Sequence, residues 1–302
     1  MDSKAIQKLR SLAQASKVQR FLHHPGRYLS FLWKSKLLPK AGIRKSSRVE
    51  ATTFWGEKIE VSLPSSSDIF LTGGKTHRSE IRLAQWLINV IGDYTAFIDV
   101  GAHIGFFSLL ASHFSGNRIA IQSFEPSRTS FALLTENTRR HTNIKVTQAA
   151  VSYEEGEATF HEFGHAYAEY SSLVMDNYGK DLRETLQKVK EDFTVPVKSL
   201  DRIVITPFSG KKLIKMDTEG AELAVLQGAS ALLQSDDCDF VIEFLANGNE
   251  SYREAEALLR QNGFKGFLIS EEGQLEAYAD VLKHMTDAGL DSENVVFSKH
   301  SA

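Results

Sequence analysis

The chain has 302 residues, 42% of them apolar and 24% charged, which allows one large α/β domain with an extension or two small domains. Its charge is divided: residues 1–48 hold twelve Lys and Arg against one acid (+11), whereas residues 49–302 hold 23 against 37 (−14). An acidic body argues against broad wrapping of nucleic acid. A single cysteine, Cys238, excludes an intramolecular disulfide and a multi-cysteine metal site. Because no apolar run approaches the roughly 20 residues of a membrane span, we expect a cytoplasmic protein.

Residues 1–48 form a predicted basic amphipathic helical extension, with apolar positions at Ile6, Leu9, Leu12 and Phe21. Two roles stay open for it: a helix packed on the body, which is the simpler interpretation, or a peripheral contact with an anionic membrane surface. Residues 49–74 follow as a small β segment and linker, with a hairpin expected over 49–63 and a linker over 64–67.

The remainder, 75–302, alternates helix and strand patterns, which predicts a parallel sheet with helices on both faces. An interruption separates two βα series, and it contains a predicted extra strand, a polar helix and a short strand. The predicted strands are 97–100, 119–124, 144–151, 156–163, 195–197, 213–216, 240–244, 264–269 and 294–297. The predicted helices are 79–91 with Ser79 as N-cap, 105–114, about 127–140 with Ser127 as N-cap, 179–191, 221–233 and 251–262.

A glycine turn follows the first strand of this series, in the segment 97–107. A strand that ends in such a turn and continues into a helix directs backbone N–H groups at a ligand. A dinucleotide fold would place glycines where His103 and Phe106 stand, so a nicotinamide cofactor is disfavoured, and a P-loop Gly-Lys-Ser/Thr is absent. Glu125 ends the next strand, 24 residues after Gly101, where a carboxylate can accept both hydroxyl hydrogens of a ribose.

A second acidic constellation lies at the end of the strand 213–216. Asp217 and Glu219 occupy a position where such sheets bind ligands, and Glu243 at the end of the next strand is expected to face the same cleft. Glu222 is expected in the first turn of the following helix, where negative charge suits the helix dipole. Adjacent carboxylates disfavour each other's ionisation unless a cation, a metal or a substrate proton intervenes.

Four segments together resemble the FkbM family of S-adenosylmethionine-dependent methyltransferases: Phe-Ile-Asp-Val-Gly-Ala-His-Ile-Gly-Phe-Phe-Ser (97–108), Phe-Glu-Pro-Ser (124–127), Tyr-Ser-Ser-Leu (170–173) and Ile-Lys-Met-Asp-Thr-Glu-Gly-Ala-Glu (214–222). The resemblance covers roughly residues 75–300. It implies a class I Rossmann-like fold, a mainly parallel doubly wound sheet with an antiparallel last strand, over a methyltransferase domain at 75–302.

The resemblance also implies a cofactor site for S-adenosylmethionine. Asp99, Gly101, His103 and Gly105 would cradle its methionine part, Glu125 would hold the ribose, and residues near Ala150 and Val151 would edge the adenine. His103 departs from the Asn common in this motif, but both side chains form hydrogen bonds. A cofactor without phosphate also tolerates a side chain at this position.

Methyl transfer requires a nucleophile placed in line behind the methyl group and, for a hydroxyl, help in removing its proton. Asp217 and Glu219 are the candidates for this role, with His161 or His165 as alternatives. The segment 161–173 could form a substrate lid in which His161, Tyr170 and Ser172 bind the acceptor together with Glu243, or it could be a solvated loop.

A divalent metal held by Asp217, Glu219 and Glu243 is the less favoured interpretation of the acidic cleft, so we predict no metal site. The predicted function is methylation of a hydroxyl on a saccharide, glycolipid or secondary metabolite, with a small-molecule or glycan acceptor and no nucleic acid. The alternative is a non-catalytic Rossmann-like binding protein or a membrane-peripheral scaffold.

Overall fold

The structure is a computed structural model that describes residues 47–163, 190–204, 210–246 and 251–300, together with isolated positions outside these ranges. Its strands are β1 Ser47–Thr52, β2 Lys58–Leu63, β3 Ala96–Val100, β4 Ala120–Phe124, β5 Ile144–Thr147, β6 Ala150–Val151, β7 Gly156–Glu162, β8 Glu191–Lys198, β9 Lys212–Met216, β10 Cys238–Leu245, β11 Lys265–Ile269, β12 Leu275–Ala277 and β13 Ser292–Ser298. Its helices are α1 Ser67–Thr72, α2 Arg78–Val90, α3 Phe106–Phe114, α4 Arg128–Thr138, α5 Leu200–Val204, α6 Glu222–Gln227, α7 Ser230–Gln234, α8 Ser251–Gln261 and α9 Val281–Ala288, with a 3₁₀ turn at Ile91–Asp93.

An eight-stranded sheet in the order β12-β11-β13-β10-β9-β3-β4-β5 forms the centre of the molecule. Strands β5, β4, β3, β9 and β10 pair in parallel, whereas the last strand, β13, pairs antiparallel with both β10 and β11. This arrangement confirms the predicted doubly wound sheet and its antiparallel last strand. From β3 the chain proceeds outward through β4 to β5, and from β9 it proceeds the opposite way to β10, so the order reverses between β3 and β9.

Two apolar layers cover the sheet, because side chains alternate between its faces along each strand. One layer packs helices α2 and α3 and the hairpin β1–β2 against sheet residues such as Phe97, Leu213 and Val241. The other packs α6 to α9 against residues such as Ile98 and Ile214. Both layers are largely excluded from water, so burial on the two faces fixes which side chains of β3, β9 and β10 point toward each layer.

The hairpin β1–β2, which confirms the predicted one, is tied to the glycine turn by Asn137 of α4. The Asn137 side-chain amide donates to the carbonyls of Glu60 (3.0 Å) and Ile104 (2.9 Å), and its oxygen accepts from the Glu60 amide at 2.7 Å. Asn137 is buried, so these bonds replace those it would make with water. The residues before β1 that were predicted to form a helical extension lie outside the described residues.

Two predicted elements are wrong because the chain divides each of them in two. The strand expected over 144–151 is divided, with β5 in the central sheet and β6 pairing with β8 in a three-stranded sheet of order β6-β8-β7. The helix expected over 221–233 is divided into α6 and α7. Gly228 separates the two helices, and an added Cβ there would lie 2.3 Å from the Ser152 carbonyl oxygen, so only glycine fits at this close approach.

Ser79 is not the N-cap of α2, which begins at Arg78 after His77. Its hydroxyl instead accepts hydrogen bonds from the backbone and side-chain amides of Asn294, both at 2.7 Å. Ser127, in contrast, is confirmed as the N-cap of α4, since its hydroxyl accepts from the Ser130 amide at 3.1 Å. The preference of serine for the N-cap position therefore predicts the role of Ser127 correctly. For Ser79, a hydrogen bond to a residue distant in the chain overrides that preference.

The region between the two βα series also differs from the expectation. The short strand predicted over 195–197 is part of the longer strand β8. The polar helix predicted over 179–191 is wrong at its C-terminal end, because Glu191 begins β8. Most of the segment 179–191 lies outside the described residues. Helix α1 stands where only a linker was predicted, and β12 and α9 were not predicted. Within the described ranges, no helix has the length and apolar character needed to cross a membrane.

Candidate functional site

The glycine turn after β3 meets the acidic segment after β9 at the point where the strand order reverses. Gly101 has a φ of 79°, and a Cβ added to it would lie 1.8 Å from the carbonyl oxygen of Asp217. The Asp217 amide donates to the carbonyl of Val100 at 3.1 Å. Because open α/β sheets bind ligands in the crevice at such a reversal, this junction is the candidate site.

Main-chain hydrogen bonds hold the glycine turn in place. The amides of Gly101 and Ala102 both donate to the carbonyl of Phe124, each at 3.0 Å, which joins the turn to the end of β4. Gly105 has a φ of 87°, and a Cβ added there would lie 2.8 Å from Leu134 of α4. The close approach of the Asp217 backbone therefore requires a glycine at 101, and the left-handed backbone conformation favours one at 105.

His103 lies in this turn with a φ of 50°, an uncommon backbone conformation for a residue with a side chain. Burial, together with the nearby positive charges of Lys75 and Lys215, lowers the pKa of His103 to about 4. Its imidazole is consequently neutral at pH 7. His103 thus offers hydrogen bonds at the turn and no positive charge.

Glu125 is fixed directly across from the turn. Its Oε2 accepts a hydrogen bond from the His103 amide at 2.8 Å, and its Oε1 accepts one from the Ser127 amide at 2.9 Å. Each oxygen keeps further lone-pair capacity, since a carboxylate has about four acceptor sites. Burial raises the pKa of Glu125 to about 7.

Asp99 lies beneath the turn and has no exposed surface. Its Oδ2 accepts from the Ser108 hydroxyl at 2.6 Å, and its Oδ1 lies 3.8 Å from the Lys215 Nζ. Burial raises the pKa of Asp99 in spite of this lysine. Ala150 and Val151 form the buried strand β6, which continues the chain after β5. Their predicted roles toward the cofactor stay predictions.

A charged cluster fills the other side of the crevice. Lys215, a buried residue of β9, places its Nζ 3.1 Å from Asp217 Oδ2. Burial alone would raise the pKa of Asp217, but Lys215 and a hydrogen bond with Glu243 lower it to about 2. Burial and the neighbouring Asp217 raise the pKa of Glu243 well above its ordinary value. Asp217 is therefore ionised and Glu243 holds the proton between them.

Glu222 stabilises the segment between β9 and α6. It begins α6, as predicted, and its Oε1 accepts from the Thr218 amide and hydroxyl, both at 2.9 Å, and from the Gly220 amide at 3.3 Å. Glu219 lies within the turn that these bonds close, with a φ of 55°. A buried carboxylate thus shapes the loop that carries two of the candidate catalytic residues.

Two lysines, Lys75 and Lys215, lie near the candidate site but were not among the predicted site residues. Lys215 could have been found, because a charged residue inside an otherwise apolar strand needs a partner when it is buried. Lys75, before α2, forms an ion pair with Glu80 at 2.8 Å and interacts electrostatically with Asp217 and His103. No local pattern in the sequence indicated that Lys75 reaches the crevice.

Of the remaining candidate residues, one lies in the three-stranded sheet and three lie outside the described residues. His161 of β7 pairs with Asp192 of β8 at 2.7 Å, in the three-stranded sheet. His165, Tyr170 and Ser172 lie outside the described residues, as does most of the predicted lid. In the part of the chain that is described, no group of three or more His, Cys, Asp or Glu side chains is arranged to hold a metal ion.

The chain resembles known methyltransferases in sequence and in structure. Residues 99–265 match the methyltransferase FkbM domain family, and no curated protein sequence matches the chain. A methyltransferase FkbM from Methylobacillus flagellatus KT is similar in structure, with a TM-score of 0.43 and 16% identity over 68% of this chain; the match spans only 43% of that protein.

Two further solved structures are similar at a comparable level. A precorrin-6y C5,15-methyltransferase from Geobacter metallireducens gives a TM-score of 0.41 and 11% identity, over 74% of this chain and 88% of that one. A TehB-like S-adenosylmethionine-dependent methyltransferase from Corynebacterium glutamicum gives 0.39 and 11%, over 78% and 95%. The family match spans more than half of the chain and includes the glycine turn, Glu125 and the acidic segment.

Proposed function

Because the chain belongs to the FkbM family of methyltransferases, we propose that it transfers a methyl group from S-adenosylmethionine to a hydroxyl oxygen of a saccharide, glycolipid or secondary metabolite. The observation that carries this proposal is the direct junction of the Gly101 turn with Asp217 at the reversal of the strand order. A cofactor seated on the turn and an acceptor seated on the acidic segment would be neighbours there.

The residues at the turn fit the cofactor. Glu125 is held by two backbone amides, which fix its orientation and leave acceptor capacity for the two ribose hydroxyls. The positive φ of Gly101 lets the chain turn at the end of β3, where the amides of Gly101 and Ala102 bond the Phe124 carbonyl, so the turn is fixed beside Glu125 before a cofactor binds. When bound, S-adenosylmethionine supplies an electrophilic methyl group on a sulfonium; the chain supplies its seat and the setting of the acceptor.

Asp217 is the residue best placed to orient an acceptor hydroxyl. Its carboxylate is partly exposed and ionised at neutral pH, so it can accept the hydrogen of a hydroxyl group. Glu243, which holds a proton, can donate to a second oxygen of the acceptor or to Asp217. Neighbouring donors and acceptors of this kind suit a polyhydroxylated molecule, in which adjacent oxygens need both.

Binding of the cofactor tests the proposal before an acceptor is known. We expect isothermal titration calorimetry to give a saturable heat with S-adenosylmethionine and with its product S-adenosylhomocysteine. Glu125→Ala should weaken both by about tenfold or more, the value of lost hydrogen bonds to a charged group. The matched control is Glu157→Ala, which removes an exposed carboxylate of β7.

Two results would contradict the proposal in different ways. A wild-type protein that gives neither heat nor thermal stabilisation with either nucleoside would refute the cofactor. A Glu125→Ala protein that binds as well as the wild type would refute only the ribose assignment. The acceptor can then be sought by incubating cell extracts with cofactor carrying a labelled methyl group.

A further inference from the structure

The amino-acid end of S-adenosylmethionine poses an electrostatic problem for this crevice. That end carries a carboxylate as well as an ammonium group, and the proposed seat lies beside the buried Asp99 and the ionised carboxylate of Asp217. These groups suit the ammonium and the sulfonium but oppose a carboxylate. A cation close to the turn would remove this conflict.

Three residues of the described chain near the turn are candidates for that cation. His103 is neutral at pH 7, because burial and nearby lysines lower its pKa to about 4. Lys215 is charged, but its side chain is only 3% exposed and already lies between Asp99 (3.8 Å) and Asp217 (3.1 Å). Neither residue is available to meet a ligand carboxylate.

Lys75 differs from both. Its side chain is 24% exposed, against 3% for Lys215, so Lys75 is the more open of the two lysines. The Nζ atom lies 2.8 Å from Glu80 Oε1, which occupies one of its three N–H donors. Ser79 at the start of α2 accepts a hydrogen bond from the Asn294 amide, and Asn294 pairs with Glu243 of β10, so this segment lies at the carboxyl end of the sheet. There Lys75 influences both His103 and Asp217. Burial alone would lower the pKa of Lys75, but Glu80 and Asp68 raise it above its ordinary value, so the group stays charged.

We propose that Lys75 binds the carboxylate of the methionine moiety of S-adenosylmethionine through a free N–H of its ammonium group, an inference that rests on the proposed cofactor. Glu80 is then a positioning residue, because its ion pair restrains the ammonium group of Lys75. The N-terminal segment before α2 thereby completes the cofactor site, although it lies outside the 99–265 family match.

A pair of ligands that differ only in the carboxylate tests the proposal. S-adenosylhomocysteine carries the group, and decarboxylated S-adenosylhomocysteine lacks it but keeps the amine, the thioether and the nucleoside. We expect Lys75→Met to weaken S-adenosylhomocysteine about tenfold or more and to change the decarboxylated ligand less than about twofold, both measured by calorimetry. Lys75→Arg should retain most of the difference in affinity between the two ligands, since arginine also pairs with carboxylates.

Two further variants separate this role from an effect on folding. The double variant Lys75→Met/Glu80→Gln removes both charges of the ion pair and should show the same selective loss of affinity for S-adenosylhomocysteine. Its melting temperature shows whether the fold is retained. Lys211→Met is the matched control: Lys211 forms a comparable ion pair with Asp239 at 2.7 Å but precedes β9, at the opposite end of that strand from the crevice. It should leave both affinities unchanged.

The outcomes are distinguishable. Equal weakening of both ligands by Lys75→Met, or no weakening of either, would overturn the role of Lys75 while leaving the cofactor assignment intact. A wild-type protein that binds neither ligand would overturn the proposed function and this inference together.

Discussion

The cofactor half of the crevice, formed by Gly101, His103 and Glu125, is held by main-chain hydrogen bonds, whereas the acceptor half, formed by Lys215, Asp217 and Glu243, is held by charges. In the first, backbone amides at 2.8–2.9 Å fix the carboxylate of Glu125. In the second, one buried lysine offsets two acids, and two carboxyl groups share a proton. Main-chain bonds persist when a side chain changes, but a charged cluster depends on each member. Apart from its glycines, the cofactor half should therefore keep its stability after side-chain substitutions that destabilise the acceptor half.

The contact between the two halves is the place where this difference should be most severe. Gly101→Ala would place a Cβ 1.8 Å from the Asp217 carbonyl oxygen, so both backbone segments would have to move. We expect a loss of about 4 kcal/mol or more in the free energy of unfolding, an effect found only for severe clashes and buried charges. Chemical denaturation measures this loss.

Gly263→Ala is the matched control for this prediction. Gly263 has a φ of 86°, close to the 79° of Gly101, but nothing lies within 4 Å of the added Cβ. Only the backbone strain should remain, about 1 kcal/mol. Equal losses for the two variants would show that the halves do not meet as closely as described.

Within the acceptor half, Lys215→Met should have the next largest effect. It leaves Asp99 and Asp217 without their cation, and breaking a buried pair costs about 3–5 kcal/mol. The cost arises from uncompensated negative charge, so it should shrink as the pH falls and the carboxyl groups bind protons. Denaturation at pH 7.5 and pH 5 measures this trend, with Lys212→Met at the start of β9 as control. A deficit that stays constant with pH would attribute the loss to packing alone.

In the cofactor half, the charge of Glu125 should govern nucleoside affinity. Its pKa is raised from 4.5 to about 7, so the carboxylate is ionised above that pH and protonated below it. A ribose donates its hydroxyl hydrogens to the ionised form, and affinity should therefore rise with pH, by about tenfold between pH 6 and pH 8. The ligand 5′-methylthioadenosine isolates the effect because it lacks the amino-acid moiety, with its α-ammonium and carboxylate groups. Glu125→Gln should show a flat profile; a sloping one would assign the titration to another residue.

The two halves also differ in how far the sequence predicts them. The glycine turn before α3 and the Ser127 cap of α4 are signalled by residues close in the chain, and both lie where the pattern predicted them. The role of Lys75 depends on a segment that joins the crevice from outside the βα series. A local pattern carries no information on such a contact.

The predicted boundaries of two elements were wrong for the same physical reason. Ser79 has the composition of an N-cap, but its hydroxyl is taken by Asn294, 215 positions away. The pattern over 221–233 is helical throughout, yet Gly228 lies against Ser152 and the helix divides there. In both cases a long-range contact overrides a propensity worth about 1 kcal/mol or less.

Ser127→Ala should produce the smallest change in stability. This variant tests whether main-chain hydrogen bonds alone hold the cofactor half in place. The variant loses the cap of α4 and a hydrogen bond to Glu162, but it keeps the Ser127 amide that donates to Glu125 at 2.9 Å. We expect a loss of about 1 kcal/mol in the free energy of unfolding, the usual value of an N-cap, with nucleoside affinity unchanged. Thr135→Ala on the exposed side of the same helix is the control and should lie within about 0.5 kcal/mol of the wild type. If affinity falls together with stability, Glu125 depends on the Ser127 side chain, and the contrast between the two halves is smaller than their hydrogen bonds indicate.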